Sequence, residues 1–264
     1  MVYKGVLTKM QTEFLEPIQY YLVFENDFLH INQLLDKPIA IKLIGSQCLS
    51  CNLDKPIYRQ GFCKSCFFDK PFAGDWIMRP ELSTAHLGKE DRDLDYEKKV
   101  QLQPHIVYLA NSSTIKVGVT RKSQVPTRWI DQGAHEAIEI VEVPNRYLAG
   151  ITEVALKNYV ADKTNWRKML QNDVQEVDLE QAREDIFEEF ADLLDDFDAD
   201  DLDEEIITIN YPVTEYPEKI KSLGFDKLPT IEGTLNGIKG QYLILDCGVL
   251  NMRKHQGYFI TIEA

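Results

Sequence analysis

The stretch His105-Ile106-Val107-Tyr108-Leu109-Ala110-Asn111-Ser112-Ser113-Thr114-Ile115-Lys116-Val117-Gly118-Val119-Thr120 decides how the centre of the chain folds. Two alternating runs flank the polar triplet Asn111-Ser112-Ser113, the pattern of a β-hairpin. Val107 and Leu109 share a core face with Ile115, Val117 and Val119 only if opposed residue numbers sum to an even value. A turn centred near Ser112 makes that sum 224, which sets Tyr108 opposite Lys116 and Ile106 opposite Gly118. The second face then carries a phenol beside an ammonium, next to a glycine that leaves room for a ligand. Lys116 would favour the phenolate and move Tyr108 toward general-base competence. The same pattern also suits an amphipathic hairpin whose polar face is merely wet.

Beyond the hairpin, Arg121 to Ala134 reads as a short helix that starts near Pro126 and ends at Gly133. Trp129 and Ile130 pack inward, and Arg128 is carried on the helix. A strand over Ala137 to Val143 follows, and then a longer helix from about Arg146 to Val160. Leu148, Ile151, Ala155 and Tyr159 form its expected buried stripe. Glu153 falls roughly 140° from the centre of that stripe at 100° per residue, so it should edge a cleft or face water.

The order Ile106-Val107-Tyr108, Lys116-Val117-Gly118-Val119-Thr120, helix arginine, strand, helix glutamate resembles the GIY-YIG nuclease fold. The resemblance implies a three-stranded antiparallel sheet flanked by helices. It also implies a tyrosine, an arginine and a glutamate around a scissile phosphate, the glutamate holding a divalent ion such as Mg²⁺ or Mn²⁺. Residue by residue it points to Tyr108, Gly118, Arg128 and Glu153, with Asn165 beyond the glutamate helix. The hairpin pairing adds Lys116 to the catalytic set, and Arg121 is a further candidate for contact with the substrate. Two departures stand out: the first motif lacks its glycine and the second its tyrosine. The similarity covers about 65 of the 264 residues.

Upstream, Cys48-Leu49-Ser50-Cys51 and Cys63-Lys64-Ser65-Cys66 are two CxxC pairs separated by 11 residues. Two such knuckles supply the four thiolates of a tetrahedral, structural Zn²⁺ site, with an iron–sulfur cluster as the competing occupant. Gly61 suits the tight turn before the second pair. Cys247 lies in an expected apolar strand and reads as an inert core residue. Over the whole chain, the sequence also resembles a bacterial domain-of-unknown-function family. Its members join a paired CxxC module to segments like His105 to Ala110, Arg128 to Ala134 and Asp162-Lys163-Thr164-Asn165-Trp166-Arg167.

The net charge of -14 is not spread evenly. Of the 43 acidic residues, 17 lie between Asp173 and Glu205, where Arg183 is the only base. The remainder carries 26 acids and 28 bases, so a phosphate-bearing partner is not excluded. Ile186, Phe187, Phe190, Leu193, Leu194 and Phe197 recur at helical spacing, which predicts an amphipathic helix followed by a mobile tail over Asp198 to Glu205. That acidic face could also hold a basic protein partner. No run approaches the ~18 apolar residues of a membrane span, and Met1 to Gly5 begin no secretory leader, so a reducing cytoplasm is expected.

The expected class is α+β. It comprises an N-terminal β unit (1–46), a four-cysteine zinc module (47–75), a connector (76–103) and a GIY-YIG-like domain (104–171). An acidic helix or linker (172–205) and a C-terminal β unit (206–264) complete it. The expected activity is metal-dependent phosphodiester hydrolysis on DNA or RNA. The alternatives are a non-catalytic, zinc-containing nucleic-acid-binding protein and a protein-interaction scaffold.

Overall fold

The computed structural model describes residues 2–157, 159–160 and 165–264. The strands are β1 (Val2–Val6), β2 (Gln11–Glu13), β3 (Gln19–Val23), β4 (Phe28–His30), β5 (Pro38–Ser46), β6 (His105–Asn111), β7 (Ile115–Arg121), β8 (Glu136–Val143), β9 (Asp200–Asp201), β10 (Ile207–Thr208), β11 (Ser222–Leu223), β12 (Thr230–Lys239), β13 (Tyr242–Leu245), β14 (Gly248–Asn251) and β15 (Tyr258–Glu263). The α-helices are α1 (Lys64–Asp69), α2 (Leu94–Gln101), α3 (Thr127–Asp131), α4 (Arg146–Leu156), α5 (Trp166–Gln171) and α6 (Leu179–Asp196). The class is mixed α+β, mostly sheet. Among the described residues no helix is long and apolar enough to cross a membrane.

The chain divides into two compact units. The first comprises Met1–Phe68, Leu170–Asn172 and Ile209–Ala264. Strands from both ends of the sequence meet here in one sheet, in the order β1-β15-β5-β12-β13-β14-β11. Alternation explains two inner strands: Ile39 and Ile41 of β5 are buried, as are Ile260 and Ile262 of the neighbouring β15. A smaller sheet, β2-β3-β4, adds Tyr20, Leu22 and Leu29 to the buried set. Gln241 serves as a surrogate strand partner: its Oε1 accepts the Met10 N–H at 2.8 Å, and its Nε2 donates to the Met10 carbonyl at 3.1 Å. Cys247, expected in a strand, lies in the turn after β13, where its thiol donates to the Glu232 carbonyl.

The second unit comprises Asp69–Met169 and Asp173–Thr208. Its sheet runs β10-β8-β6-β7, with β9 added alongside β8. β6 pairs antiparallel with both β7 and β8, and β7 is an edge strand. The parity argument holds, but the register differs from expectation. Asn111 faces Ile115, so opposed numbers sum to 226; Tyr108 lies opposite Gly118, and Lys116 opposite Ala110. The cause is Asn111, which stays in the strand because its Nδ2 donates to Glu136 Oε1 (3.1 Å) and to the Gln175 carbonyl (2.9 Å). The turn is therefore centred on Ser113.

Val107, Leu109, Val117, Ile138, Val141 and Val143 share a core with Ala149 and Leu156 of α4 and with Leu179, Ile186 and Leu194 of α6. The amphipathic helix forms as predicted, but the tail after it is not loose. Arg183 donates to the carbonyls of Leu202 (3.3 Å) and Glu204 (2.9 Å), and β9 pairs with Val141 and Glu142.

The buried face of α4 is not the expected stripe. Ala149, Gly150, Thr152 and Leu156 are buried, whereas Leu148, Ile151 and Ala155 are half-buried and Tyr159 is exposed. Small residues let the neighbouring chain approach: a Cβ built on Gly150 would lie 2.2 Å from the Glu81 nitrogen. That neighbour belongs to a stretch expected to be a loop-rich connector. It folds into successive 3₁₀ turns and α2, tied by the fully buried Glu97, whose carboxylate accepts the N–H groups of Asp91, Arg92 and Asp93.

Gly150→Ala should therefore destabilise this unit by about 3 kcal/mol or more, since backbone and not a flexible side chain must yield. Urea unfolding followed by circular dichroism would measure the loss; a midpoint unchanged from wild type would refute the close approach.

Candidate functional site

The first candidate lies where β5 ends. Gln47 donates to the Gly257 carbonyl, fixing the strand end, and Cys48 begins a loop in which the Asn52 N–H returns to the Cys48 carbonyl at 2.9 Å. The second arm is a tight turn: Phe62 donates to the Arg59 carbonyl at 2.8 Å, with φ of 53° at Gln60 and 83° at Gly61. Two successive positive φ values are the signature of a type I′ hairpin turn. A Cβ on Gly61 would also strike Leu49 Cδ1 at 2.4 Å. Cys63 follows directly, and α1 brings Cys66 to the same point.

The four sulfurs of Cys48, Cys51, Cys63 and Cys66 lie within 4.8 Å of one another, so they could bind a zinc ion. Tetrahedral bonds of about 2.3 Å place sulfurs about 3.8 Å apart. The Cys63 N–H donates to Cys48 Sγ at 3.3 Å, the kind of backbone bond that steadies a thiolate. The Ser65 hydroxyl and the Cys66 backbone lower the Cys63 pKa to about 6. Cys66 is held at about 11: its bond from Ser50 favours the thiolate, but burial and the three neighbouring sulfurs outweigh that bond. Four thiolates packed this closely call for a cation. No comparable gathering of metal-ligating side chains is found elsewhere among the described residues.

The second candidate lies at the β7 edge of the other unit. Tyr108 is fully buried in β6, with its phenol head over Gly118: a Cβ there would sit 2.7 Å from both Cζ and the hydroxyl oxygen. Gly118 thus makes room for Tyr108 itself, not for a ligand as expected. The Tyr108 hydroxyl donates to Gln132 Oε1 at 3.3 Å, and the ring meets Trp129 edge-on, with centroids 5.8 Å apart. Lys116, only 6% exposed, donates to the same Gln132 oxygen.

Gln132 is held there by the end of α3. The Gly133 N–H donates to the Ile130 carbonyl (3.0 Å) and the Ala134 N–H to the Trp129 carbonyl (3.1 Å), with Gly133 at φ 69°. This is a Schellman ending, and it makes Gln132 the helix C-cap.

Arg128, half-buried on α3, is close enough to stabilise a Tyr108 phenolate by charge and by hydrogen bond, and the Glu153 charge opposes it. Burial exceeds both, so the Tyr108 pKa is raised. The expected drift toward a phenolate base is thereby corrected: desolvation of the charged form dominates. Glu153 is more enclosed than expected, its side chain 14% exposed and 3.8 Å from Lys157.

Arg121 ends β7 opposite His105, and its charge acts on His105 and Arg146. Asn165 is exposed and caps α5, its Oδ1 accepting from the N–H groups of Arg167 (3.2 Å) and Lys168 (3.4 Å). The adjoining Asp162-Lys163-Thr164 lie outside the described residues.

Two residues of this region were not picked out in the sequence. Gln132 had a signal, its place directly before the helix-ending Gly133. Arg146 had none. Its guanidinium donates to the carbonyls of Trp76 (3.1 Å) and Ile77 (2.8 Å), and burial with the charges of Arg128 and Arg121 lowers its pKa to about 10, although Glu153 favours the cation. A neighbouring cavity of about 420 Å³, lined by Trp129, Glu139, Asp203, Glu204 and Glu205, is acidic and unsuited to phosphate.

Two measurements follow from this geometry. Serine at any of the four clustered cysteines should strip bound zinc, assayed by elemental analysis, while Cys247→Ser should retain it. Zinc retention should fall as pH is lowered, because protons compete for the thiolates. His105, held at about 4 by burial despite its bond to the Gln103 carbonyl, offers a second test. Its folded pKa lies below the unfolded value of about 6.5, so its contribution is present above about pH 6.5 and lost as pH falls toward 4, by roughly 3 kcal/mol at most. Urea midpoints across that window should drop less in His105→Asn than in wild type.

Searches of the curated proteins and of the solved structures give no match. A family model does match, over residues 36–260, a span that holds the four clustered cysteines and both faces of the β6–β7 hairpin. The chain therefore belongs to the family described as a protein of unknown function, DUF2797.

Proposed function

We propose that the side-chain cluster at the β7 edge binds a phosphodiester of DNA or RNA and hydrolyses it with the help of a divalent ion, in the manner implied by the GIY-YIG resemblance. One observation carries the reading. Tyr108 and Lys116 share the Gln132 carboxamide, within electrostatic reach of Arg128 and Glu153. Cationic donors grouped around a single carboxylate suit a phosphate and the charge that builds on it during in-line displacement. The antiparallel β7-β6-β8 sheet with its flanking helices supports the same reading.

One partly enclosed carboxylate fits Mg²⁺ or Mn²⁺, ions that are often held by one or two carboxylates together with substrate oxygens. Glu153 would hold such an ion, whose chemistry there is charge neutralisation and polarisation of the phosphate. Arg128 would bind a non-bridging oxygen. Lys116, fixed through Gln132, would supply a second positive charge. Tyr108, kept protonated by burial and donating to Gln132, would help fix the carboxamide that holds Lys116 and would not act as a base.

That protonated, fully buried phenol also favours a second reading, in which the cluster binds nucleic acid without cleaving it. Hydrolysis of labelled single-stranded DNA, duplex DNA and RNA with Mg²⁺ or Mn²⁺ separates the two. On the catalytic reading, Glu153→Gln should lower cleavage at least ~100-fold with binding nearly unchanged, and Arg128→Ala should weaken both. Cleavage that persists in Glu153→Gln would sink the assignment. Salt-sensitive binding with no cleavage in the wild type would establish the non-catalytic role.

A further inference from the structure

The cysteine knuckle in the first unit carries a surface that its fold does not use. Tyr58, Phe67 and Phe68 pack against one another, with ring centroids 5.3 to 5.5 Å apart in edge-on and tilted arrangements. Tyr58 comes from the loop between the two CxxC pairs, and the phenylalanines from α1. A satisfied small core would hide such rings, yet Tyr58 is 44% exposed and Phe68 56% exposed. Single exposed apolar side chains are ordinary; two exposed rings packed against each other and against the half-buried Phe67 form a contiguous apolar surface suited to binding.

The charge around these rings selects the partner. The Arg59 guanidinium stands over the Tyr58 ring, 5.5 Å from its centroid; Lys55, earlier in the same loop, and Lys64, at the start of α1, are exposed. Between Leu53 and Phe68 the chain carries three bases and one acid, Asp54, within a protein of net charge -14. An apolar peptide would gain little from that local excess. A strand with flat bases and a negative backbone would gain from both features: open ring faces accept stacked bases, and the guanidinium and ammonium groups meet phosphates. Duplex fits poorly, because its bases are already stacked and its grooves offer nothing to a cluster of rings.

We propose that the knuckle face formed by Tyr58, Phe68, Arg59 and Lys64 is a stacking platform for single-stranded nucleic acid. Unpaired bases lie on Tyr58 and Phe68, and their phosphates are held by Arg59 and the flanking lysines. The platform belongs to a different unit from the β7-edge cluster and does not depend on hydrolysis there.

The test uses the full-length chain carrying Arg128→Ala, so that binding at the other unit's β7 edge is weakened and the effect of each knuckle substitution is read against that background. Fluorescence anisotropy is measured with oligo-dT, oligo-U and a mixed-sequence duplex over a range of salt. The single strands should bind more tightly than the duplex. Tyr58→Ala and Phe68→Ala should each weaken single-strand binding about tenfold or more, with bound zinc unchanged as proof that the knuckle stays folded. Arg59→Gln should reduce the slope of log affinity against log salt by about 0.7. Equal affinity for duplex would overturn the proposal, as would an unaltered affinity in the Tyr58→Ala/Phe68→Ala double variant with zinc retained. Absence of oligonucleotide binding, with self-association that the double variant abolishes, would assign the face to a second copy of the chain instead.

Discussion

A buried ammonium needs a strong acceptor, and Lys116 finds one in the Gln132 carboxamide. Leaving such a cation without a partner would cost several kcal/mol, more than most single contacts in a domain this size can offset. The arrangement of side chains at the β7 edge depends on meeting that demand. Gln132 can do so because α3 stops where it does, with Gly133 in the left-handed region, where a Cβ would collide with Met169 Sδ at 2.5 Å. One helix ending thus sets the position of a lysine and a tyrosine on two different strands.

Much of this was legible in the chain. Two CxxC pairs at short spacing announce a tetrathiolate cluster, because few other arrangements need four cysteines turned to one point. The hairpin and its parity followed from alternation, and the α3 boundaries from Pro126 and Gly133. The register shift was not legible, because the bonds that keep Asn111 in its strand go to Glu136 and Gln175, remote in sequence. The buried face of α4 departs from the hydropathy stripe for a related reason. Hydropathy favours Leu148 and Ile151, but Ala149, Gly150 and Thr152 are inside because another segment lies against them almost backbone to backbone. Small residues carry weak hydropathy signals even where they decide the packing.

The ionisation of Tyr108 shows how magnitudes, not proximity, settle a charge state. A nearby guanidinium and a hydrogen bond from it favour the phenolate, and sequence reasoning assigned a similar part to Lys116. Full burial works against ionisation and prevails. A tyrosine beside cations is not thereby a base. Enclosed in a protein interior it remains a donor, and its worth lies in the rigidity it lends to Gln132.

The sheet of the first unit has an implication for how the protein is made. One of its inner strands, β5, is hydrogen-bonded on one side to β12 and on the other to β15, and the whole second unit lies in the sequence between β5 and both of them. During translation β5 must therefore wait, with both edges bare, while more than half of the chain emerges. The inserted unit has no such dependency and can form its core first. The cysteine knuckle lies directly after β5 and its four sulfurs come from one short local stretch, so a metal captured there early would blunt one end of an otherwise sticky strand until its neighbours leave the ribosome.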